Sequence, residues 1–180
     1  MLMVSMKLQQ SMNLITFVNL KQSEKQRKKI MDNIIVRIMT KEDIDQVVKI
    51  EEESFALPWS VKSFEESLEL KYAKFFVAFM DDVVAGYVGT YHIGDEIDIT
   101  NIAVASAFRR KGVASELMKA VVAYGQDLMV ECINLEVRIS NVSARGLYAK
   151  YDFEELGVRK NFYSKPTEDG LIMRKNLTNQ

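Results

Sequence analysis

The apolar run Asn101-Ile102-Ala103-Val104 is followed a few residues later by Arg109-Arg110-Lys111-Gly112-Val113-Ala114, and no other stretch limits the fold of this chain so strongly. It reads as a strand handed through a basic, glycine-bearing turn into a helix, whose Val113, Leu117, Val121, Tyr124 and Leu128 recur at helical spacing. A helix start leaves backbone N–H groups without partners and carries about half a positive charge, so an anion such as a pyrophosphate is held there without a special side chain. Gly112 allows close backbone approach, Ala114 is small, and Arg109, Arg110 and Lys111 attract phosphate. The hexapeptide alone is equally an exposed basic turn opening an amphipathic helix. It is neither a Walker A loop, lacking Gly-Lys-Ser/Thr, nor a dinucleotide fingerprint, lacking three spaced glycines.

At 180 residues and 48% hydrophobic content, the chain suits one α/β domain with a real core. The single cysteine, Cys132, excludes an internal disulfide framework and a cysteine-built zinc site, and suits a reducing cytoplasm. It reads as a buried filler. His92, the one histidine, lies in an apolar run and reads as structural, so no metal site is expected.

No window has the roughly 18 apolar residues of a membrane span, and nothing resembles a cleavable signal. Residues 1–30 stand apart as a basic extension outside the fold. Lys7, Lys21, Lys25, Arg27, Lys28 and Lys29 face Glu24 alone there, a net of plus five, so the remainder carries minus six of the chain's formal minus one. A basic arm for ribosome or membrane contact is one reading. Upstream sequence included by an early start, with Met31 opening the native chain, is the other. Residues 31–180 form the domain.

Periodicity then orders the elements. Ile34 to Met39 alternates as a strand, and Thr40 with Asp43 caps a helix carrying Ile44, Val47, Val48 and Ile50 on one face and ending near Ser54. After Pro58, Ser60 caps a second helix with Phe64 and Leu68. Phe75 to Phe79, a turn at Asp81-Asp82 and Val83 to Ile93 form an antiparallel hairpin, locally weakened at Gly86 and Gly89. Ile97 to Val104, the helix from Gly112 to Met129, a strand Ile133 to Ile139 and a helix Val142 to Lys150 follow. Strands near Glu154 to Tyr163 and Leu171 to Lys175 close the chain. The order β-α-α-β-β-β-α-β-α-β-β predicts a mixed sheet with helices on both faces.

The Arg/Gln-x-x-Gly-x-Gly/Ala pattern after a short apolar strand resembles the acetyl-coenzyme A pyrophosphate loop of the GNAT N-acetyltransferases. The element order is similar too, from Ile34 to Leu177. Ser54-Phe55-Ala56-Leu57-Pro58-Trp59-Ser60, Asn101 to Val104, Leu135-Glu136-Val137-Arg138, and Ser140-Asn141 with Leu147-Tyr148 resemble the RimI-type ribosomal-protein-alanine N-acetyltransferases. So does the tail Arg159-Lys160-Asn161-Phe162-Tyr163 with Glu168-Asp169-Gly170-Leu171-Ile172-Met173. The departures are Phe162 for a usual tyrosine, Gly170 for alanine, and Asp152 for the glycine of the turn after the last helix. The resemblance implies the GNAT acyl-CoA N-acyltransferase fold, with a mostly antiparallel central sheet of about seven strands.

By that resemblance Glu136 is the general base and Tyr148 the general acid, while Ile102, Ala103 and Val104 pair their backbone with the pantetheine arm. Arg109, Arg110, Lys111, Gly112, Val113 and Ala114 hold the pyrophosphate, Asn141 bonds the pantetheine amides, and Trp59 and Tyr163 wall the peptide groove. Each has an ordinary alternative. Glu136 is a strand residue paired with Arg138 or another neighbour, Tyr148 packs beside Leu147 and Phe153, Asn141 caps a helix, and Trp59 simply packs. Glu96 and Asp98 are rival bases, since other GNAT branches place a glutamate there. Gly146, which costs on the order of 1 kcal/mol in a helix, suggests tight packing beside the cofactor.

The implied activity is acetyl transfer from acetyl-CoA, without a metal, to the N-terminal α-amino group of a protein, a ribosomal one beginning with a small residue such as alanine. The expected enzyme is cytoplasmic, a monomer or weak homodimer, and binds neither nucleic acid nor membrane. The alternatives are acetylation of a small-molecule amine or a protein lysine, and a non-catalytic acyl-CoA sensor.

Overall fold

A computed structural model describes residues 34–177, so the basic extension of residues 1–30 lies outside the described residues. Seven strands form one sheet: β1 (Ile34–Ile38), β2 (Ala73–Met80), β3 (Val83–Ile93), β4 (Glu96–Val104), β5 (Cys132–Arg138), β6 (Glu154–Ser164) and β7 (Thr167–Asn176). The helices are α1 (Ile44–Ser54), α2 (Val61–Leu68), α3 (Val113–Asp127) and α4 (Val142–Ala149). The expected element order is the observed one. Across the sheet the strands run β1-β2-β3-β4-β5-β7-β6, and every pair is antiparallel except β4–β5.

Two apolar cores, one on each face, follow from this layering. Ile44, Val47 and Ile50 of α1 and Phe64 of α2 pack on Phe75, Val77, Val84, Tyr87 and Ala103. On the other face Val113, Leu117, Met118 and Val121 of α3, with Tyr148 of α4, cover Phe76, Ala78, Val88, Ile97, Ile99, Ile133 and Leu135. Strands β2 and β3 are covered on both sides, which is why their sequences are apolar nearly throughout. The pairing of β3 with β4 is irregular directly after Gly89. A Cβ there would lie 2.4 Å from the Phe75 ring, so the glycine admits that ring to the sheet.

Local chemistry explains the punctuation. Asp81 and Asp82 both take left-handed backbone (φ 52° and 61°), the twist a two-residue hairpin turn requires. Asp152 adopts φ 61° after α4, where the family pattern has glycine. Ser60 caps α2, its hydroxyl accepting the Ser63 N–H at 3.1 Å. Gly170, the other small departure, lies under Phe162, whose ring atom Cδ1 would be 3.0 Å from an added Cβ. Cys132 is buried and free, as expected.

Asp43 organises the entry to α1. Its carboxylate accepts both outer nitrogens of the Arg37 guanidinium at 2.7 Å and the Thr40 backbone N–H at 2.8 Å. Burial acts to raise the Asp43 carboxyl, but Arg37 and the Thr40 donors outweigh it and hold it below its usual value. Asp43→Ala is therefore expected to destabilise the protein by about 1–2 kcal/mol at pH 7. A group depressed on folding contributes fully above its unfolded pKa, near ~4, and loses the contribution as pH falls through the folded value. Urea titrations of parent and variant should accordingly converge below about pH 4; a gap independent of pH would contradict this account.

Candidate active site

Strands β4 and β5 pair only at one end. Glu96 lies opposite Cys132 and the pairing continues to Ile99 opposite Leu135, where it stops. Beyond that point β4 keeps its ladder to β3 and β5 keeps its ladder to β7, through Val104 and Arg138 respectively. The facing edges of Asn101–Val104 and Glu136–Arg138 thus border a wedge in the sheet. A bulge marks the divergence: Gly89 pairs with Asn101 and Thr90 with Ile99, leaving Thr100 as an extra residue. The insertion shifts alternation, so Ala103 joins the α1–α2 core while Ile102 and Val104 join the core beneath α3.

The basic turn closes the broad end of the wedge. Ser106–Phe108 form one 3-10 turn, and the Arg109 Nε donates to the Val104 carbonyl at 3.1 Å. Arg110 and Gly112 both have positive φ (64° and 97°), so glycine at the second is a backbone requirement. No side chain caps α3 among the described residues, and the Glu116 N–H bonds back to the Gly112 carbonyl at 3.1 Å. The first N–H groups of the helix and its positive end lie beside Arg109, Arg110 and Lys111, all exposed. Val113 is buried and anchors the helix start in the core.

Glu136 stands at the first position of β5 past the β4 pairing and is half-buried. Its carboxylate meets Arg159 of β6 at 2.9 Å, and the expected alternative of a pair with Arg138 is not formed. Arg138 serves the β6–β7 hairpin instead. Its guanidinium donates to the Lys165 and Pro166 carbonyls at 2.8 and 3.0 Å, meets Glu168 at 3.1 Å, and lies 4.2 Å from the Tyr163 ring centre. Two residues apart on a strand share a face but not a partner, and sequence spacing does not choose between arginines.

Tyr163 donates its hydroxyl to the Glu136 carbonyl at 3.2 Å, and its phenol, half-buried, is pushed up to about 12 chiefly by burial. Tyr148 is buried, its ring centre 6.0 Å from that of Phe153, within the cluster that includes Ile102 and Val104. Burial first, then neighbouring Tyr163, pushes its phenol above the usual value. It therefore remains a neutral O–H through the physiological range, while also packing as the alternative reading expected.

Asn141 caps α4, its Oδ1 accepting the Ala144 N–H at 3.1 Å. Trp59 is half-buried, tilted against Phe64 and Phe75 with ring centres 5.5 and 6.1 Å away. Glu96 and Asp98 lie on the closed side of the wedge, where the Asn134 amide donates to them at 2.7 and 3.1 Å. Arg174 adds a contact to Glu96 at 3.2 Å. The Asn134 bond and Arg174 hold the Glu96 carboxyl low, which disfavours proton acceptance.

A Cβ at Gly146 would meet no protein atom within 4 Å. Gly146→Ala should stabilise α4 by about 0.5–1 kcal/mol, read as a higher denaturation midpoint. A lower midpoint would contradict this.

Sequence reasoning missed Arg159, the counter-charge of Glu136, and Glu51, a fully buried carboxyl on α1. A signal for Glu51 existed. It falls one turn beyond Val47 and two beyond Ile44, on the apolar face of the helix.

Comparison with known proteins shows the family and the fold. The Acetyltransferase (GNAT) family matches residues 44–153. A Bacillus subtilis (strain 168) relative is 41% identical over 139 residues, covering 77% of this chain and 92% of its own, and its name provisionally assigns it ribosomal protein bS18-alanine N-acetyltransferase activity. The Salmonella typhimurium ribosomal protein bS18-alanine N-acetyltransferase is 32% identical over 145 residues, covering 77% of this chain and 94% of its own. The crystal structure of the Escherichia coli ribosomal-protein-S18-alanine N-acetyltransferase superposes with a TM-score of 0.75 at 27% identity, over 82% of this chain and 96% of that one. The chain, with its split β4–β5 pair and uncapped α3, belongs to the acetyltransferase (GNAT) family.

Proposed function

We propose that this protein transfers an acetyl group from acetyl-CoA to the N-terminal α-amino group of a protein, a ribosomal one beginning with a small residue such as alanine. The observation that carries the reading is the wedge: an unpaired β4 edge at Ile102–Val104 opposite Glu136, beside the uncapped start of α3. Members of the family use acetyl-CoA, and the residues fit it. Arg109 to Ala114 hold its pyrophosphate, and the β4 edge pairs with its amide-bearing arm as an added strand would. Asn141 keeps its N–H₂ and the second lone pair of its oxygen for an amide of that arm, since the cap uses one lone pair. Bound acetyl-CoA supplies an activated acyl group and a thiolate leaving group.

The protein's own residues meet the remaining requirements. Glu136 takes the proton from the substrate ammonium, which displaces Arg159 as counter-charge. An α-amino group with pKa near ~8 needs little help, whereas a lysine near ~10.4 needs more. A backbone N–H on the free β4 edge stabilises the developing oxyanion. Tyr148, kept protonated by burial, gives its proton to the departing sulfur. Tyr163 and Arg138 order the side of the acceptor groove near Glu136, and Trp59 lies at the α1–α2 corner. No metal takes part in this scheme.

The relatives' names support the acceptor class. Among the described residues no helix is long and apolar enough to cross a membrane, and we place the enzyme in the cytoplasm. The test is mass spectrometry of peptides beginning with alanine or serine after incubation with acetyl-CoA. Acetylation of the α-amine is expected, and modification of internal lysines alone would overturn the reading.

A further inference from the structure

Glu51 is fully buried on α1, and no Lys or Arg forms an ion pair with it among the described residues. A carboxyl in that position is costly: an apolar side chain of similar size would pack in the same core with no desolvation penalty. Its three bonds show what it does there. Oε1 accepts the Trp59 backbone N–H at 3.1 Å and the Asn101 side-chain amide at 3.0 Å, while Oε2 accepts the Tyr87 hydroxyl.

These donors come from separate parts of the site. Trp59 lies at the Pro-Trp corner between α1 and α2, Tyr87 on β3, and Asn101 at the first paired residue of β4 beyond the Thr100 bulge, where the free edge begins. Backbone ladders already hold β3 to β4, but the corner has no ladder to the sheet. Its Trp59 N–H reaches the sheet through Glu51. Burial raises the Glu51 carboxyl and the three donors oppose it, which fits a group kept as a hydrogen-bond acceptor rather than as an exposed charge.

We infer that Glu51 is a positioning residue for the acceptor: one carboxyl ties the α1–α2 corner to the start of the free β4 edge and so sets the width of the acceptor groove. The inference rests on the acceptor reading under Proposed function. It concerns positioning and not proton transfer, because Glu51 is enclosed by its donors.

The variants separate the possibilities. Glu51→Met fills the volume and accepts none of the three bonds. Glu51→Gln keeps an oxygen for Trp59 and Asn101 and turns its amide toward Tyr87, whose oxygen accepts it. With full-length protein and an alanine-initiated peptide, Glu51→Met should raise peptide KM roughly tenfold, since small displacements of positioning groups are felt strongly. The KM for acetyl-CoA should stay within about twofold, because the β4 edge is held by its own ladder. Glu51→Gln should return peptide KM to within about threefold of the parent.

Where Glu51→Met does not fold, Asn101→Ala removes only the strand end of the tie and should raise peptide KM about fivefold. An unchanged peptide KM in either folded variant overturns the inference. So does a matching rise in the KM for acetyl-CoA, or a Glu51→Gln as impaired as Glu51→Met. A parent that acetylates no peptide α-amine instead overturns the reading on which the inference stands.

Discussion

Glu136→Gln is expected to lower kcat/KM for an alanine-initiated peptide by roughly 10²- to 10⁴-fold at pH 7, the usual contribution of a positioned general base. Glutamine keeps the shape and the strand pairing of Glu136 with Ile172, so folding should be unaffected. What disappears is the acceptor for the ammonium proton and the charge that Arg159 now balances at 2.9 Å. The pH profile makes the assignment specific. An α-amine deprotonates by itself as pH passes about 8, so the variant should regain activity with rising pH while the parent changes much less. Rates measured by thiol release from pH 6 to pH 9.5 would decide it, and a variant within about threefold of the parent at pH 7 would remove Glu136 from the mechanism.

Tyr148→Phe is expected to lower kcat by roughly 10²-fold or more with little change in the KM for acetyl-CoA, because the hydroxyl acts only as sulfur departs. The ring is buried against Phe153, and phenylalanine preserves that packing, so the thermal midpoint should scarcely move. Burial and Tyr163 both raise the Tyr148 phenol. The parent should therefore show no loss of kcat on this group's account up to about pH 10, the range in which an ordinary phenol begins to ionise. Retention of kcat within twofold in the variant would leave Tyr148 a packing residue and assign the sulfur's proton to another donor.

Comparison of particular residues shows why part of the site was legible in the sequence. Gly112 was expected to shape the anion turn, and the backbone there is left-handed. Ser60, read as a cap, and Asn141, for which capping is the alternative to holding the cofactor, both accept N–H groups three residues on. Asp81-Asp82 was read as a turn and takes the conformation its hairpin needs. In each case the cause acts over a few neighbouring residues, where side-chain chemistry directly selects backbone geometry.

The partner of Glu136 was not legible. Arg138 is two residues away in sequence, yet Arg159 reaches the carboxylate because β7 lies between β5 and β6 and brings the far strand's arginine over that face. The surroundings of Gly146 are likewise a tertiary matter: no protein atom lies within 4 Å of an added Cβ. Glu51 carried a helical-period signal but no hint of its three partners, which come from a corner and two strands.

By itself the sequence determined the order of elements, the helix starts, the basic glycine turn and the kinds of group available for acetyl transfer. These follow from periodicity and local backbone preference, which short segments express alone. Only the tertiary structure decided where β4 and β5 part, which arginine faces Glu136, and what a buried glutamate on α1 holds together. Those outcomes depend on strand order and register among residues far apart in the chain, where pairing energies summed over the whole sheet, rather than any local preference, select the arrangement.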